Sequence, residues 1–186
     1  MSDKRIKVIE VATRLFSEKG FDNTSISAIG KEAGVSKALV FHHFQNKDNL
    51  LIEVFKQSTN VISEYSKNNK TTSVDQLMEL LNTFFDRLKV EKEYFQFSIN
   101  ICIQQSTRDL LHDLIAERSA GIQKYIQQLF DALGIENSLA KSYMLIAELD
   151  GIAINYIFAF THYPFEEIRQ EMIGKYQLLI QNTKTK

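Results

Sequence analysis

One cysteine, one proline, seven glycines and no tryptophan among 186 residues leave this chain short of the residues that staple or punctuate a fold. With Cys102 alone, neither an intrachain disulfide nor a cysteine-based zinc finger can form. Sandwiches and barrels of β-strands need turn residues roughly every 8–12 positions. Pro164 and seven glycines cannot supply them. Neither sign of charge dominates: 22 Lys and Arg face 23 Asp and Glu, and a net charge of −1 excludes a globally basic nucleic-acid coat protein. No uncharged run approaches the roughly 18 apolar residues that cross a bilayer; the apolar stretch 151–160 is far shorter. The N-terminal MSDKRIKVIEVATRLF carries charges throughout and lacks the apolar core of a signal peptide. The expectation is an all-α protein with no membrane contact and a cytoplasmic location.

Hydrophobic residues make up 44 % of the chain, enough to bury a substantial core, and they recur at helical spacing. Val8, Ile9, Ala12, Leu15 and Phe16 form one stripe, closed by Gly20 as a residue able to adopt the left-handed conformation that ends a helix. Thr24 or Ser25 can cap a second, short helix bearing Ile26, Ile29 and Ala33, which Gly34 breaks. Ser36 can cap a third with Val40 and Phe44, and Asn46 a fourth running through Leu51, Val54, Phe55, Val61, Ile62 and Tyr65. The polar stretch SKNNKTTS reads as the clearest loop. Five further helices are expected, over 74–89, 94–105, 108–133, 137–160 and from Pro164 onward, about nine in all. The segment 94–105 alternates Phe95, Phe97, Ile99, Ile101 and Ile103 as a strand would, but a lone strand has no partner for its backbone groups, so it is assigned to a helix.

Two short helices joined at Gly34-Val35-Ser36 and braced by a preceding amphipathic helix make a helix-turn-helix, with Ala33 allowing close approach. In such a unit the second helix enters the major groove, and free N–H groups at helix starts, here near Thr24 and Asn46, suit phosphates. Residues 1–50 carry a net +2 and the remainder a net −3, so the small basic excess lies on this side. The full string resembles the DNA-binding domain of TetR-family transcription regulators. The likeness rests on Val8, Ile9, Ala12, Leu15, Phe16, Gly20, Phe21, Thr24, Ser25, Ile26 and Ile29. It continues through Ala33-Gly34-Val35-Ser36, the VFHHF of 40–44, Lys47 and Leu50.

The resemblance implies a DNA-binding domain over 1–46 and a helical ligand-binding and dimerisation domain over 47–186. It implies a DNA-facing set of Ser25, Ser27, Lys37, Ala38, Leu39, Phe41, His42, His43 and Lys47. Ser25 and Lys47 would hold phosphates, His43 would donate to one, and Lys37, Leu39, Phe41 and His42 would face bases or sugars. Against that stands the reading of Lys37 and Lys47 as solvated surface lysines. Where the family often has Gly, a small polar residue, Tyr and Tyr, this chain has Ala38, Leu39, Phe41 and His43. Phe41 cannot hydrogen-bond a phosphate but can meet a thymine methyl, so the operator sequence does not follow from relatives.

For the C-terminal part the resemblance implies a homodimer on a pseudo-palindromic double-stranded operator and a small hydrophobic effector. The near-continuous apolarity of 143–160 suits burial on most faces. An interface is expected at Ile152, Asn155, Tyr156, Ala159, Ile168, Met172, Tyr176 and Leu179, the alternative being that these are internal core. A pocket is expected among Phe84, Phe85, Leu88, Phe95, Ile99, Asn100, Ile103, Tyr125, Leu129 and Glu148, although Phe stripes at helical spacing also serve as plain core. No phosphate loop, Ser elbow or HExxH occurs, so no enzyme, cofactor or metal is expected. His42 and His43, adjacent on a helix, point about 100° apart and cannot share one ion. A ligand-released repressor leads. The rival is a DNA-binding dimer whose second domain engages a partner protein and holds no effector.

Overall fold

Local capping chemistry fixes the first helices. The computed structural model describes residues 3–65 and 73–184, with the backbone alone for 58–65 and 184. Of the expected loop over 66–73, residues 66–72 lie outside the described residues and Ser73 instead opens a helix; the side chains of Val61, Ile62 and Tyr65 also lie outside them. Helix α1 (Asp3–Lys19) ends at Gly20, whose φ of +79° is the left-handed conformation a C-terminal glycine allows. Ser25 caps α2 (Ile26–Glu32) by accepting the Ala28 N–H, and Ser36 caps α3 (Lys37–Phe44) by accepting that of Leu39. Asn46 does the same for Asn49 at the start of α4 (Lys47–Tyr65). Thr24, the other cap considered for α2, is buried instead, its hydroxyl donating to the Leu15 and Gly20 carbonyls.

Helices α5 (Ser73–Val90) and α6 (Lys92–Ile103) follow, and 94–105 is helical as expected. The single helix expected over 108–133 is two: α7 (Gln105–Leu110) and α8 (His112–Ala132). The chain is extended at Gln104 and leaves helical geometry again at Leu111, which is fully buried. No glycine or proline marks either break. Burial of Leu111 and the buried Thr107, whose hydroxyl donates to the Ile101 and Gln104 carbonyls at the end of α6, hold them. Helix α9 (Ser138–Ile154) runs into a wider π-helical turn over Asn155–Ala159, and α10 (Phe165–Lys184) begins directly after Pro164. Among the described residues there are ten α-helices and no strand.

The chain packs as two compact units that interleave in sequence: 1–61 with 93–116, and 62–92 with 117–186. The packing units therefore do not follow a cut at residue 46. In the first unit, Val8, Ala12, Leu15 and Phe16 of α1 meet Ile29, Val40, Leu50, Leu51 and Phe55, joined by Phe97, Ile101 and Leu111 from α6 and beyond. In the second, Leu77, Leu81, Phe85 and Leu88 of α5, Phe130 of α8, Leu145 and Leu149 of α9 and Tyr176 of α10 are buried. Polar bonds fix α10 on α5: Arg169 donates to Asp86 at 2.6 Å and to Asn82 at 2.7 Å, and Lys89 pairs with Glu166 at 2.9 Å.

Candidate DNA-binding site

The α2–α3 pair is built around Gly30. A Cβ placed there would lie 3.0 Å from the Val35 carbonyl oxygen and 3.5 Å from a Val40 methyl carbon, so the two helices approach at a glycine. The Val35 N–H donates back to the Gly30 carbonyl at 2.8 Å, and Gly34 turns the chain with φ +69°. Sequence reasoning assigned the close approach to Ala33, which instead ends α2 and is half-buried. The signal was available, a glycine in the middle of a seven-residue helix. Arg14 of α1 bridges Glu32 of α2 and Glu18 of its own helix; both hydrogen bonds favour its charged form.

The pair is strongly sided. Ile26, Ile29, Val40 and Phe44 are buried, while Ser25, Ser27, Lys31, Ser36, Lys37, Ala38, Phe41 and His42 are exposed. Leu39, His43 and Lys47 are half-buried. The exposed residues of the pair thus include hydroxyls, lysines, an imidazole and an aromatic ring, the mixture that meets phosphates and base edges. Phe41 is 40 % exposed, unusual for its type, and the Lys37 ammonium sits 5.6 Å from its ring centroid. Exposed Lys31 on α2, absent from the sequence-derived set, adds a positive charge to the same helix pair.

Lys47 is more than a surface lysine. Its ammonium donates to the Phe21 carbonyl at 2.9 Å and to that of Thr24 at 3.2 Å, and lies 4.2 Å from the Phe21 ring centroid. An ammonium has three donors, so one remains for a phosphate. Lys47→Met will leave the Thr24 carbonyl unpaired and the Phe21 carbonyl with the Thr24 N–H alone, and cost about 1–3 kcal/mol, read as a lower thermal midpoint. An unchanged midpoint would mean that water replaces the ammonium without loss.

The sequence-derived pocket residues divide between the units. Phe95, Ile99, Asn100 and Ile103 belong to the first unit, where Asn100 donates to the Ser17 carbonyl at 3.0 Å and Ile103 is 69 % exposed. Phe84, Phe85, Leu88, Tyr125, Leu129 and Glu148 belong to the second. There Phe85, Leu88 and Leu129 are buried, Phe84 and Tyr125 half-buried. Glu148 pairs with Lys175 and accepts the Tyr176 hydroxyl at 3.2 Å. Burial, reinforced by that carboxylate, raises the Tyr176 hydroxyl well above its usual range and keeps it a donor.

Of the expected interface, Met172 and Tyr176 are buried inside the unit. Ile152, Asn155, Tyr156, Ile168 and Leu179 are half-buried and Ala159 is exposed. The exposed apolar residues of α9 are others: Leu139, Tyr143, Met144 and Ile154, with Leu178 on α10. Met144, Leu178 and Leu179 line an open groove between the two helices, rimmed by Lys141, Glu148 and Glu171. No helix among the described residues is long and apolar enough to cross a membrane.

Comparison with known proteins agrees with this geometry. The family of bacterial regulatory proteins designated tetR matches residues 8–54, the span from α1 into α4. A negative transcriptional regulator of the biofilm operon icaADBC, IcaR of Staphylococcus aureus, is 30 % identical over 134 residues, covering 67 % of this chain and 68 % of its own. Among solved structures, a transcriptional regulator from Rhodococcus sp. Rha1 superposes with TM-score 0.80 at 17 % identity over 96 % of both chains. The regulator FadR of Bacillus subtilis, solved in complex with stearoyl-CoA, gives 0.75 at 16 % identity over 94 % of this chain and 97 % of its own. A helix-turn-helix matched in sequence, on a scaffold shared nearly end to end with these regulators, makes this chain a DNA-binding transcriptional regulator belonging to the TetR family.

Proposed function

We propose that the chain acts as a homodimeric repressor that holds a pseudo-palindromic operator with two copies of α3 and releases it when a small hydrophobic effector binds. The observation that carries this reading is the sidedness of α2–α3, with Ser25, Ser27, Lys37, Ala38, Phe41 and His42 outward over a core of Ile29, Val40 and Phe44. In this reading DNA contacts are confined to residues 1–46 and the first turn of α4, while the rest of 47–186 serves dimerisation and effector binding. Ser25 and the remaining N–H of Lys47 hold phosphates and fix register, and His43 donates to another. Lys37, Leu39, Phe41 and His42 face bases or sugars, with Phe41 suited to a thymine methyl.

Two equivalent α3 helices must sit about 34–36 Å apart, one turn of duplex, which requires a two-fold partner. The apolar residues left exposed on α9 and α10, chiefly Tyr143, Met144, Ile154 and Leu178, support pairing through that face. Phe84, Phe85, Leu88, Tyr125 and Leu129, with Glu148 as a polar anchor, have the chemistry of a site for a mostly apolar molecule. The stearoyl-CoA held by the Bacillus subtilis neighbour supports an effector of that kind. A ligand that favours a splayed dimer by a few kcal/mol would shift the equilibrium away from the operator.

Incubating the purified protein with sheared genomic DNA at two salt concentrations, and sequencing what it retains, tests the reading. A few salt-resistant palindromic sites are expected, since base contacts survive when phosphate contacts are screened. Diffuse retention that vanishes at higher salt would overturn sequence-specific recognition. Stearoyl-CoA is then the first effector probe, and its expected effect is release of the retained duplex.

A further inference from the structure

The segment that joins α1 to α2, residues 20–24, carries no base-contacting side chain, yet side chains from far along the sequence grip it. Gln104 accepts the Phe21 N–H through Oε1 at 3.4 Å, and its amide nitrogen lies where a Cβ on Gly20 would come within 2.7 Å. Ser106 donates to the Asp22 carboxylate at 2.9 Å. Just before the turn, Asn100 at 3.0 Å and Gln96 at 3.1 Å both donate to the Ser17 carbonyl, an acceptor left without a partner at the end of α1. On the α4 side, Lys47 holds the Phe21 and Thr24 carbonyls. Gln104 is itself fixed: it stands in extended conformation at the break between α6 and α7, with its carbonyl accepting from the buried Thr107 hydroxyl at 3.0 Å.

We propose that Gln104 is a positioning residue for operator recognition, setting through the 20–24 turn the angle at which α2 and α3 meet the duplex. The inference rests on the DNA-reading assignment above and extends it to a residue 50 positions beyond the matched region, which ends at 54. The physical basis is leverage. The turn is short, and α2 starts at Ile26, one residue after its cap. A shift of the Phe21 N–H is therefore passed to α2, and through the tight contact at Gly30 to α3. Gln104 touches no DNA in this arrangement, so it sets geometry and adds no contact. Its loss lowers specific binding and leaves charge-driven binding alone.

The test uses the full chain and a duplex selected from a random pool by the wild type. Gln104→Ala is expected to weaken that duplex about tenfold, the loss of one hydrogen bond's worth of positioning. Its affinity for a random duplex at low salt should not change, nor its thermal midpoint by more than a few degrees. Gln104→Glu keeps an acceptor for the Phe21 N–H and should restore most of the specific affinity. Amide shifts in two-dimensional NMR spectra of Gln104→Ala should move at Phe21 and through α2 into α3. Equal affinity of wild type and Gln104→Ala for the selected duplex overturns the proposal, as does a parallel loss of random-duplex binding and folded fraction. If the wild type selects no duplex, the DNA-reading assignment fails separately. The amide shifts then decide, unmoved signals in α2 and α3 overturning the proposal and displaced ones supporting it.

Discussion

Replacing Gly30 by valine will abolish selective duplex binding. The added Cβ alone would sit 3.0 Å from the Val35 carbonyl oxygen, a backbone atom that cannot swing away, and 3.6 Å from the Lys37 nitrogen. Valine's two further methyl carbons have no room on that side, so α2 and the turn must separate. Overpacking of this kind costs about 1–3 kcal/mol, and part of that falls on the 2.8 Å bond from the Val35 N–H to the Gly30 carbonyl. The functional loss should exceed the stability loss, because α3 is aimed by that contact. We expect a fall of about a hundredfold or more in affinity for the wild-type-selected duplex, some 2.7 kcal/mol at one decade per 1.36 kcal/mol. Gly30→Ala, needing a shift of only a few tenths of an ångström, should fall between. Gel shifts alongside thermal melts separate the two effects. Affinity of Gly30→Val within twofold of wild type would show that the helices reorient freely about the turn.

In the proposed dimer, paired lysines at Met144 and Leu178 are expected to leave the chain monomeric and to remove binding of the proposed palindrome. Met144 is 58 % and Leu178 60 % exposed, and both line the groove between α9 and α10. Across a two-fold axis each patch meets its own copy, so four ammonium groups are brought into one interface and its apolar burial is lost. Stable dimers bury about 1,200–2,000 Å² in total, and charges at the centre of such a face are the least tolerated change. Light scattering should move from twice the 21.5 kDa chain mass to the chain mass itself. Affinity for a duplex carrying both half-sites should drop at least a hundredfold, while a single half-site binds as weakly as it does to the wild type. A mass at twice the chain value in the double variant would place the interface elsewhere. The core pair Met172 and Tyr176, 7 % and 3 % exposed, would not discriminate, since lysine there unfolds the unit.

The N-terminal helices were legible because their signals are local. Ser25, Ser36 and Asn46 cap within three residues of themselves, and Gly20 and Gly34 adopt the positive φ that only glycine takes readily. The apolar stripe of α1 faces the core because 3.6-residue periodicity leaves it nowhere else to go. The breaks at Gln104 and Leu111 had no such signal. Neither carries a glycine or proline, and they are held by the burial of Leu111 and Thr107, which depends on how the helices pack. Lys47 illustrates the same limit. Its acceptors lie 26 and 23 residues back, so sequence could register a lysine at a position expected to meet DNA but not its part in holding the turn. Asn100, taken as a pocket anchor, spends its amide on a carbonyl 83 residues earlier.

The sequence by itself determined the helical class, the order and caps of the first four helices, and a helix-turn-helix. Each of these follows from interactions within a few residues of the chain. Only the tertiary structure decided that residues 93–116 pack with the N-terminal helices, that α2 and α3 approach closely at Gly30, and that Leu139, Tyr143, Met144 and Ile154 of α9 and Leu178 of α10 are among the apolar residues left exposed. Periodicity tells which residues of a helix are apolar. Which neighbour covers them depends on how the helices are arranged in space, and a helix apolar on most faces, such as α9, leaves that choice open until its packing is known.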